Sequence, residues 1–285
     1  MTIESSVLYV VATPLGNLAD LSPRAQEVLR GAAWIAAEDT RHTQGLLTHF
    51  AISARLLAAH EHNERHAAEQ IIDKLAAGDA VALVSDAGTP AVSDPGAKVV
   101  EAVRAAGFKV IPIPGPSAAV TALSAAGLTD ARWLFVGFLP AKGGERRREL
   151  EALKPVPAAL VFYEAPHRIV DMVADLAATL EPGRTLVIAR ELTKTFEQIH
   201  VGPLADGPAW LAADPNHQRG EFVVIVGSPP PAVEEGLPAE AERVLALLLG
   251  EGLPVKQVAK LAAALTGAPK NALYARALEL KDGAG

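Results

Sequence analysis

The 285-residue chain contains no cysteine. That absence excludes a disulfide framework, thiolate metal sites and a thiol nucleophile together, and it fits a reducing compartment. A basic, apolar leader is also lacking: "MTIESSVLYVV" carries Glu4 where a secretory signal would carry Lys or Arg, and its apolar run is short. No later run approaches the ~20 apolar residues of a membrane span, so a soluble, cytoplasmic protein with no membrane partner is expected. Neither GxGxxG nor GxxxxGK occurs in a strand–helix setting, which removes the usual phosphate cradles, and no solenoid-type repeat is present. Excess positive charge is missing as well. A formal net charge of -7 argues against indiscriminate nucleic-acid binding and leaves only local basic patches as contacts for phosphate.

Half of the residues are hydrophobic, enough for two domains and a small third at roughly 100 to 200 residues per domain. Val7 to Ala12 is a nearly continuous apolar run followed by "TPLGN", after which Ser22-Pro23 supplies an N-cap and a first-turn proline for "RAQEVLRGAAW". The same strand–loop–helix order recurs in "AVALVS", "DAGTPAVSDPG" and "AKVVEAVRAA", a helix expected to open at Asp94-Pro95 and close at Gly107. It recurs again in "KVIPIP", "GPS" and "AAVTALSAAG", with Ser117 as the cap. Continuous apolar strands alternating with helices predict a parallel sheet covered on both faces, over residues 1–116. A second α/β block, 117–229, carries "WLFVGF", "ALVFYE", "TLVIARE" and "EFVVIVG". There the alternating "KTFEQIHVGPL" predicts an antiparallel strand and a mixed sheet. "GSPPPAVEEGLP" reads as a linker to a small helical piece at 237–285.

The loop "VSDAGTPAVSDPG", Val84 to Gly96, stands just beyond a buried strand, where open α/β sheets bind ligands. Helix capping accounts for Ser93, Asp94 and Pro95 but not for Asp86. Two carboxylates repel phosphate, whereas a ligand with ribose hydroxyls and a positive centre suits acceptor-rich surroundings. A nucleoside bearing a sulfonium, S-adenosylmethionine, has both.

Nine segments in order, "ATPLGNLADLSPRA", "AAEDTRHTQGLL", "HEHNE", "ALVSDAGTPAVSDPG", "IPGPSAAVTALSAAGL", "GFLPAKGGERRREL", "FYEAPHR", "ARELTKTFEQIHVG" and "GEFVVIVG", resemble the ribosomal RNA small subunit methyltransferase I family of the tetrapyrrole methylase superfamily. The tail "VKQVAKLAAALTGAPKNALYARAL" is similar to that family's C-terminal helical domain. The resemblance implies two α/β domains of tetrapyrrole-methylase type with an inter-domain cofactor cleft, a small C-terminal helical domain, a homodimer, and 2'-O-methylation of a cytidine in small-subunit ribosomal RNA. It also implies S-adenosylmethionine contacts at Pro14, Leu15, Asp86, Gly88, Thr89, Ser93, Ser117, Ala118, Phe162, Tyr163 and Glu164. Physical reading agrees on two counts: a helix start at Ser117 can receive a carboxylate, and Phe162 or Tyr163 can wall an adenine.

Methyl transfer to a ribose oxygen asks chiefly for alignment, with a general base helpful but dispensable. Glu164 and Glu191 follow apolar strands and are the candidates for such a base; their alternative role is in ion pairs with Arg168 or His167 and with Arg190 or Lys194. Arg41 in "AAEDTRHTQ", and Arg168 and Arg190 at strand ends, are candidate RNA contacts. "KGGERRREL" adds Lys142, Arg146, Arg147 and Arg148, which would position phosphates unless they serve as a solvated helix start. In the tail, Lys256, Lys260 and Lys270 make a net-positive stretch suited to a helix-turn-helix-like RNA contact. No metal is expected: His60, His62 and His66 do not match HExxH and lack a fourth ligand. Two other readings stay open, a methylase of a corrin or porphyrin precursor and a non-catalytic RNA-binding protein that keeps the fold.

Overall fold

In the computed structural model, residues 3–230 and 237–282 are described. They form two compact units, residues 3–230 and residues 237–282; residues 231–236, half of the expected linker, lie outside the described residues. The first unit holds two five-stranded sheets. Strands β1 (Val7–Val11), β2 (Trp34–Ala37), β3 (Arg55–Ala58), β4 (Val81–Val84) and β5 (Lys109–Ile113) pair in parallel in the order β3-β2-β4-β1-β5. Helices α1 (Pro23–Gly31) and α2 (Thr40–His49) cover one face, α3 (Glu64–Ala76) and α4 (Ala97–Ala105) the other. Coverage on both sides is why β4 is apolar at every position and wholly buried, with no alternation.

The second sheet comprises β6 (Trp133–Phe138), β7 (Ala159–Glu164), β8 (Thr185–Arg190), β9 (Gln198–Pro203) and β10 (Phe222–Val226). Its order is β6-β7-β10-β8-β9, with β6 and β7 parallel and the remaining pairs antiparallel. One face packs on α6 (Gly143–Leu153), α7 (Ile169–Thr179) and α8 (Gly207–Ala213); the other packs on α5 (Ala118–Ala125). In the second unit, α9 (Ala239–Gly250), α10 (Val255–Thr266) and α11 (Lys270–Asp282) share a small core around Leu245, Val258 and Leu273. Among the described residues, no helix is long and apolar enough to cross a membrane.

The helix starts separate two kinds of cap. Ser22 accepts the Ala25 N–H at 3.1 Å, as its place before Pro23 predicts. Helix α4 does not begin at Asp94-Pro95: its cap position is Gly96, whose N–H donates to Glu64 Oε1 at 2.8 Å, and Lys98 pairs with the same carboxylate. A buried acid from α3 therefore does the capping, and Asp94 is released for another use.

Candidate active site

The cleft of the first unit is assembled from loops at the strand ends of both sheets. Parallel pairing sets Ala37 of β2 opposite Val84 of β4, so Glu38 and Asp39 emerge beside Ser85 and Asp86. Asp39 donates its N–H to Asp86 Oδ1 at 3.0 Å. The loop after β4 is tied to the loop after β1 by reciprocal bonds between Thr13 and Gly88, 2.8 and 3.0 Å, and by the Thr13 hydroxyl donating to Ser85 O. Thr89 then donates its hydroxyl to Pro116 O at 2.9 Å, fastening the loop to the start of α5. Gly88 holds φ +80°, a conformation that disfavours any side chain, and a Cβ there would lie 3.4 Å from Leu15. At Gly137, where β6 is bulged, φ is +77° and a Cβ would approach the Ser93 hydroxyl to 3.2 Å. That contact brings the first sheet's loop against the second sheet.

These elements enclose a cleft of about 350 Å³, lined from the first sheet's side by Leu15, Gly88, Thr89, Val92, Ser93 and Asp94, and at the α5 start by Ser117 and Ala118. From the second sheet come Phe138, Tyr163, Glu164, Leu192 and the start of β10 at Glu221 and Phe222. Of the residues expected to meet the cofactor, eight thus share one cavity. Pro14, Asp86 and Phe162 are not in its lining. Strand alternation explains Phe162: it is fully buried in the core beneath α7, while its neighbour Tyr163 takes the opposite face and stacks edge-on with Phe135 and Phe138. Asp86, half-buried, accepts the Asp39 N–H instead. Tyr163 Oη accepts the Ala119 N–H at 3.1 Å, while Ser117, at the cap position of α5, makes no side-chain cap bond.

Electrostatics sort the acids of this region. Asp94 is pushed up to about 6, first by burial and then by the charges of Glu38 and Asp86, with the Ser85 hydroxyl offsetting only part. Burial, followed by the Asp86 charge, likewise raises Glu38. Glu164 is raised by burial against the pull of the Ala165 N–H and Arg168. It pairs with Arg168 at 3.2 Å and accepts the Ala165 N–H, yet its buried Oε2 has no partner. For Glu191, burial opposes the charge, but Lys194 at 3.0 Å and the Glu221 N–H outweigh it and hold the carboxyl below its ordinary range. Both candidate bases therefore stand in ion pairs, and Glu191 is not in the cleft lining.

The candidate RNA contacts divide in the same way. Arg146 is buried, with Nε 2.6 Å from Asp175 and a further bond to Ala141 O. Arg190 is buried too, donating to Arg219 O, Phe196 O and Gln198 Oε1. Arg168 donates to Leu139 O in addition to its pairing with Glu164. Arg146 thus joins α6 to α7, Arg168 braces the turn after β6, and Arg190 holds the loops at Phe196 and Arg219 against β8, so all three guanidiniums are engaged within the protein. Arg41, Lys142, Arg147 and Arg148 are exposed, as are Lys256, Lys260 and Lys270 in the second unit. Arg41 pairs only loosely with Asp39, at 3.4 Å.

Sequence reasoning passed over Asp94, Phe138, Leu192 and Glu221. Asp94 lay in the quoted loop but was claimed by a cap role. Glu221 immediately precedes the antiparallel strand β10, whose first residue lies at the same sheet edge as the last residue of its neighbours: Phe222 pairs with both Glu164 and Arg190. Among the described residues, no three His, Cys, Asp or Glu side chains are grouped to hold a metal ion.

Two α/β sheets meeting at a cleft of loops define the class. The family Tetrapyrrole (Corrin/Porphyrin) Methylases matches residues 7–207, and the RsmI C-terminal HTH domain matches residues 235–281. Among solved structures, uroporphyrin-III-C-methyltransferase from Thermus thermophilus superposes with a TM-score of 0.57 at 22% identity, covering 87% of this chain and 99% of its own. The cobalt precorrin-4 methyltransferase CbiF gives 0.59 at 16%, over 78% and 95%; these two likenesses concern the fold. Ribosomal RNA small subunit methyltransferase I of Escherichia coli O157:H7 is 54% identical over 95% of this chain and 94% of its own length, and that of Pseudomonas aeruginosa 52% over 97% and 98%. The chain belongs to the tetrapyrrole methylases and, within them, to the ribosomal RNA small subunit methyltransferase I family.

Proposed function

We propose that this chain methylates the ribose 2'-oxygen of a cytidine in small-subunit ribosomal RNA. The methyl donor is S-adenosylmethionine, the cofactor of this family; a Thermus thermophilus uroporphyrin-III C-methyltransferase of the same fold was solved with S-adenyl homocysteine. The observation that carries the reading is the cleft itself, which combines an apolar wall, an orphaned buried carboxylate oxygen on Glu164 and, at Asp94, an acid shifted by no neighbouring cation.

The cofactor brings the reactive methyl group on a cationic sulfur. Asp94, backed by Glu38 and Asp86, offers that charge a counterpart with no competing cation among the groups that shift it. Tyr163 and Phe138 supply the apolar faces for adenine, and Glu164 Oε2 accepts from a ribose or adenine donor, since an unsatisfied buried acceptor costs about 1–3 kcal/mol. The α5 start at Ser117 and Ala118 faces the same space and suits a carboxylate. With cofactor and ribose held in one cavity, alignment supplies the larger part of the rate, roughly 7–11 kcal/mol in well-oriented systems. On this reading residues 1–116 and 117–229 form the two walls, and 237–285 is an RNA-contacting helical domain.

RNA is held by the exposed cations, Arg41, Lys142, Arg147 and Arg148, with Lys256, Lys260 and Lys270 on the C-terminal helices. Arg148→Ala is expected to weaken RNA binding uniformly across sequences and to reduce the salt slope by about one, with stability changed by under about 0.5 kcal/mol. Filter binding from low to high salt checks this. The substrate places the protein in the cytoplasm. A homodimer is supported by the edge strand β6, which exposes half of Trp133 beside Leu134; light scattering tests it. The reading as a whole is tested by methyl transfer from labelled S-adenosylmethionine onto small subunits lacking the modification, with mass spectrometry of the nucleosides. Label on a cytidine ribose supports it, and label on a base, on a tetrapyrrole precursor, or nowhere overturns it.

A further inference from the structure

The loop joining β8 to β9, residues 191–197, is built more tightly than a connection requires. Glu191 and Thr193 hold φ values of +52° and +66°, a region that side-chain-bearing residues rarely occupy and that tends to persist at functional sites. Thr193 donates its N–H to Glu197 Oε2 at 2.6 Å, Lys194 N–H donates to Glu191 O, and Glu197 N–H donates to Lys194 O. The buried Arg190 donates to Phe196 O at 3.3 Å. Lys194 lies so close over Gly16 that a Cβ there would collide with its Cγ. All this restraint displays one bare ring: Phe196 is 73% exposed, beyond every other large hydrophobic among the described residues. A solitary exposed apolar residue is ordinary on a mobile loop; one whose own carbonyl is held by a buried arginine, four residues past the cleft-lining Leu192, is placed.

The charges on the loop and on the partners of Lys194 indicate the occupant of the ring. Glu197 is bonded to the loop backbone, Glu221 is largely exposed, and the Lys194 ammonium is already shared between Glu191 and Glu221. Acids on this loop and its neighbour disfavour a phosphate beside them, yet they tolerate a neutral aromatic plane and accept from exocyclic amines, as carboxylates accept from cytosine N4. We propose that Phe196 is the stacking platform for an unpaired nucleobase of the RNA substrate, adjacent to the ribose presented to the cleft. This rests on the reading that the substrate is RNA, where unstacked bases are commonly held on aromatic side chains.

The test compares wild type, Phe196→Ala and Phe196→Trp as full-length proteins on unmodified small subunits. Phe196→Ala is expected to raise KM for the subunit about 10-fold, in line with the loss of one stacked base, and to leave the S-adenosylmethionine Kd unchanged. Phe196→Trp is expected to restore KM, and its added fluorescence, measured against wild type, is quenched when RNA binds. An unchanged KM in Phe196→Ala overturns the proposal, as does a raised KM that higher protein concentration restores, because the ring would then belong to a contact between copies. If the wild type transfers no methyl group to RNA, the functional reading fails; the platform is then judged on RNA binding alone, where equal affinities of wild type and Phe196→Ala overturn it.

Discussion

Asp94→Asn is expected to weaken S-adenosylmethionine binding about 10- to 100-fold while shifting S-adenosylhomocysteine, whose sulfur is neutral, by no more than about twofold. The same change is expected to make the ligand-free protein more stable. Both effects come from one cause. Burial and the charges of Glu38 and Asp86 raise the Asp94 carboxyl from 3.8 to about 6, and only the Ser85 hydroxyl opposes them. Between those two values the folded chain holds more proton than the unfolded chain, so stability falls as pH rises, and the cost is complete above about pH 7. Asparagine carries no such cost. The stability gain of the variant is therefore near zero below about pH 4 and reaches about 1–3 kcal/mol near pH 8, the lower end reflecting solvent access. A sulfonium inverts the preference by favouring the charged carboxylate, so wild-type affinity for S-adenosylmethionine should rise from about pH 5 to 7 while that for S-adenosylhomocysteine stays flat. Calorimetry with both ligands at two pH values, alongside urea unfolding, measures every part. Equal losses for the two ligands would remove Asp94 from its role opposite the positive charge.

Arg146→Ala is expected to destabilise the protein by about 3 kcal/mol, lowering Tm by about 5–10 °C. The guanidinium is 5% exposed and its Nε lies 2.6 Å from Asp175, itself nearly buried on α7. Removing one partner of a buried pair leaves the other charge poorly solvated, and Arg147, 3.0 Å from the same carboxylate but half exposed, compensates in part. Pairing Arg146→Met with Asp175→Leu should recover most of the loss, because apolar replacement of a buried pair is commonly near neutral. Thermal melts of the single and double variants decide this. If Arg146→Ala melts like wild type but binds RNA weakly, the guanidinium serves phosphate after all.

The contrast between Arg146 and Arg148 shows where sequence reading stops. Both stand in "GGERRREL", and composition cannot rank them. The helix period turns Arg146 inward against α7 and leaves Arg148 in solvent, which is visible only once Asp175 is known to lie opposite. Phe162 and Tyr163 are separated by the strand period in the same way, and only the placement of α7 over one face and α5 over the other tells which of the two is core.

What the sequence determined by itself was local and periodic: continuous apolar runs that must be buried on both faces, the Ser22 cap, the alternation that becomes β9, and the glycine- and proline-marked loop after β4 where a ligand would sit. Tertiary structure alone decided which acid faces that ligand. The cap expected of Asp94 is supplied by Glu64, 32 residues from the Gly96 N–H it accepts, and Glu221 enters the cleft because β10 runs antiparallel to its neighbours. Hydrogen-bond competition and strand direction act between residues far apart in the chain, so no local pattern records their outcome.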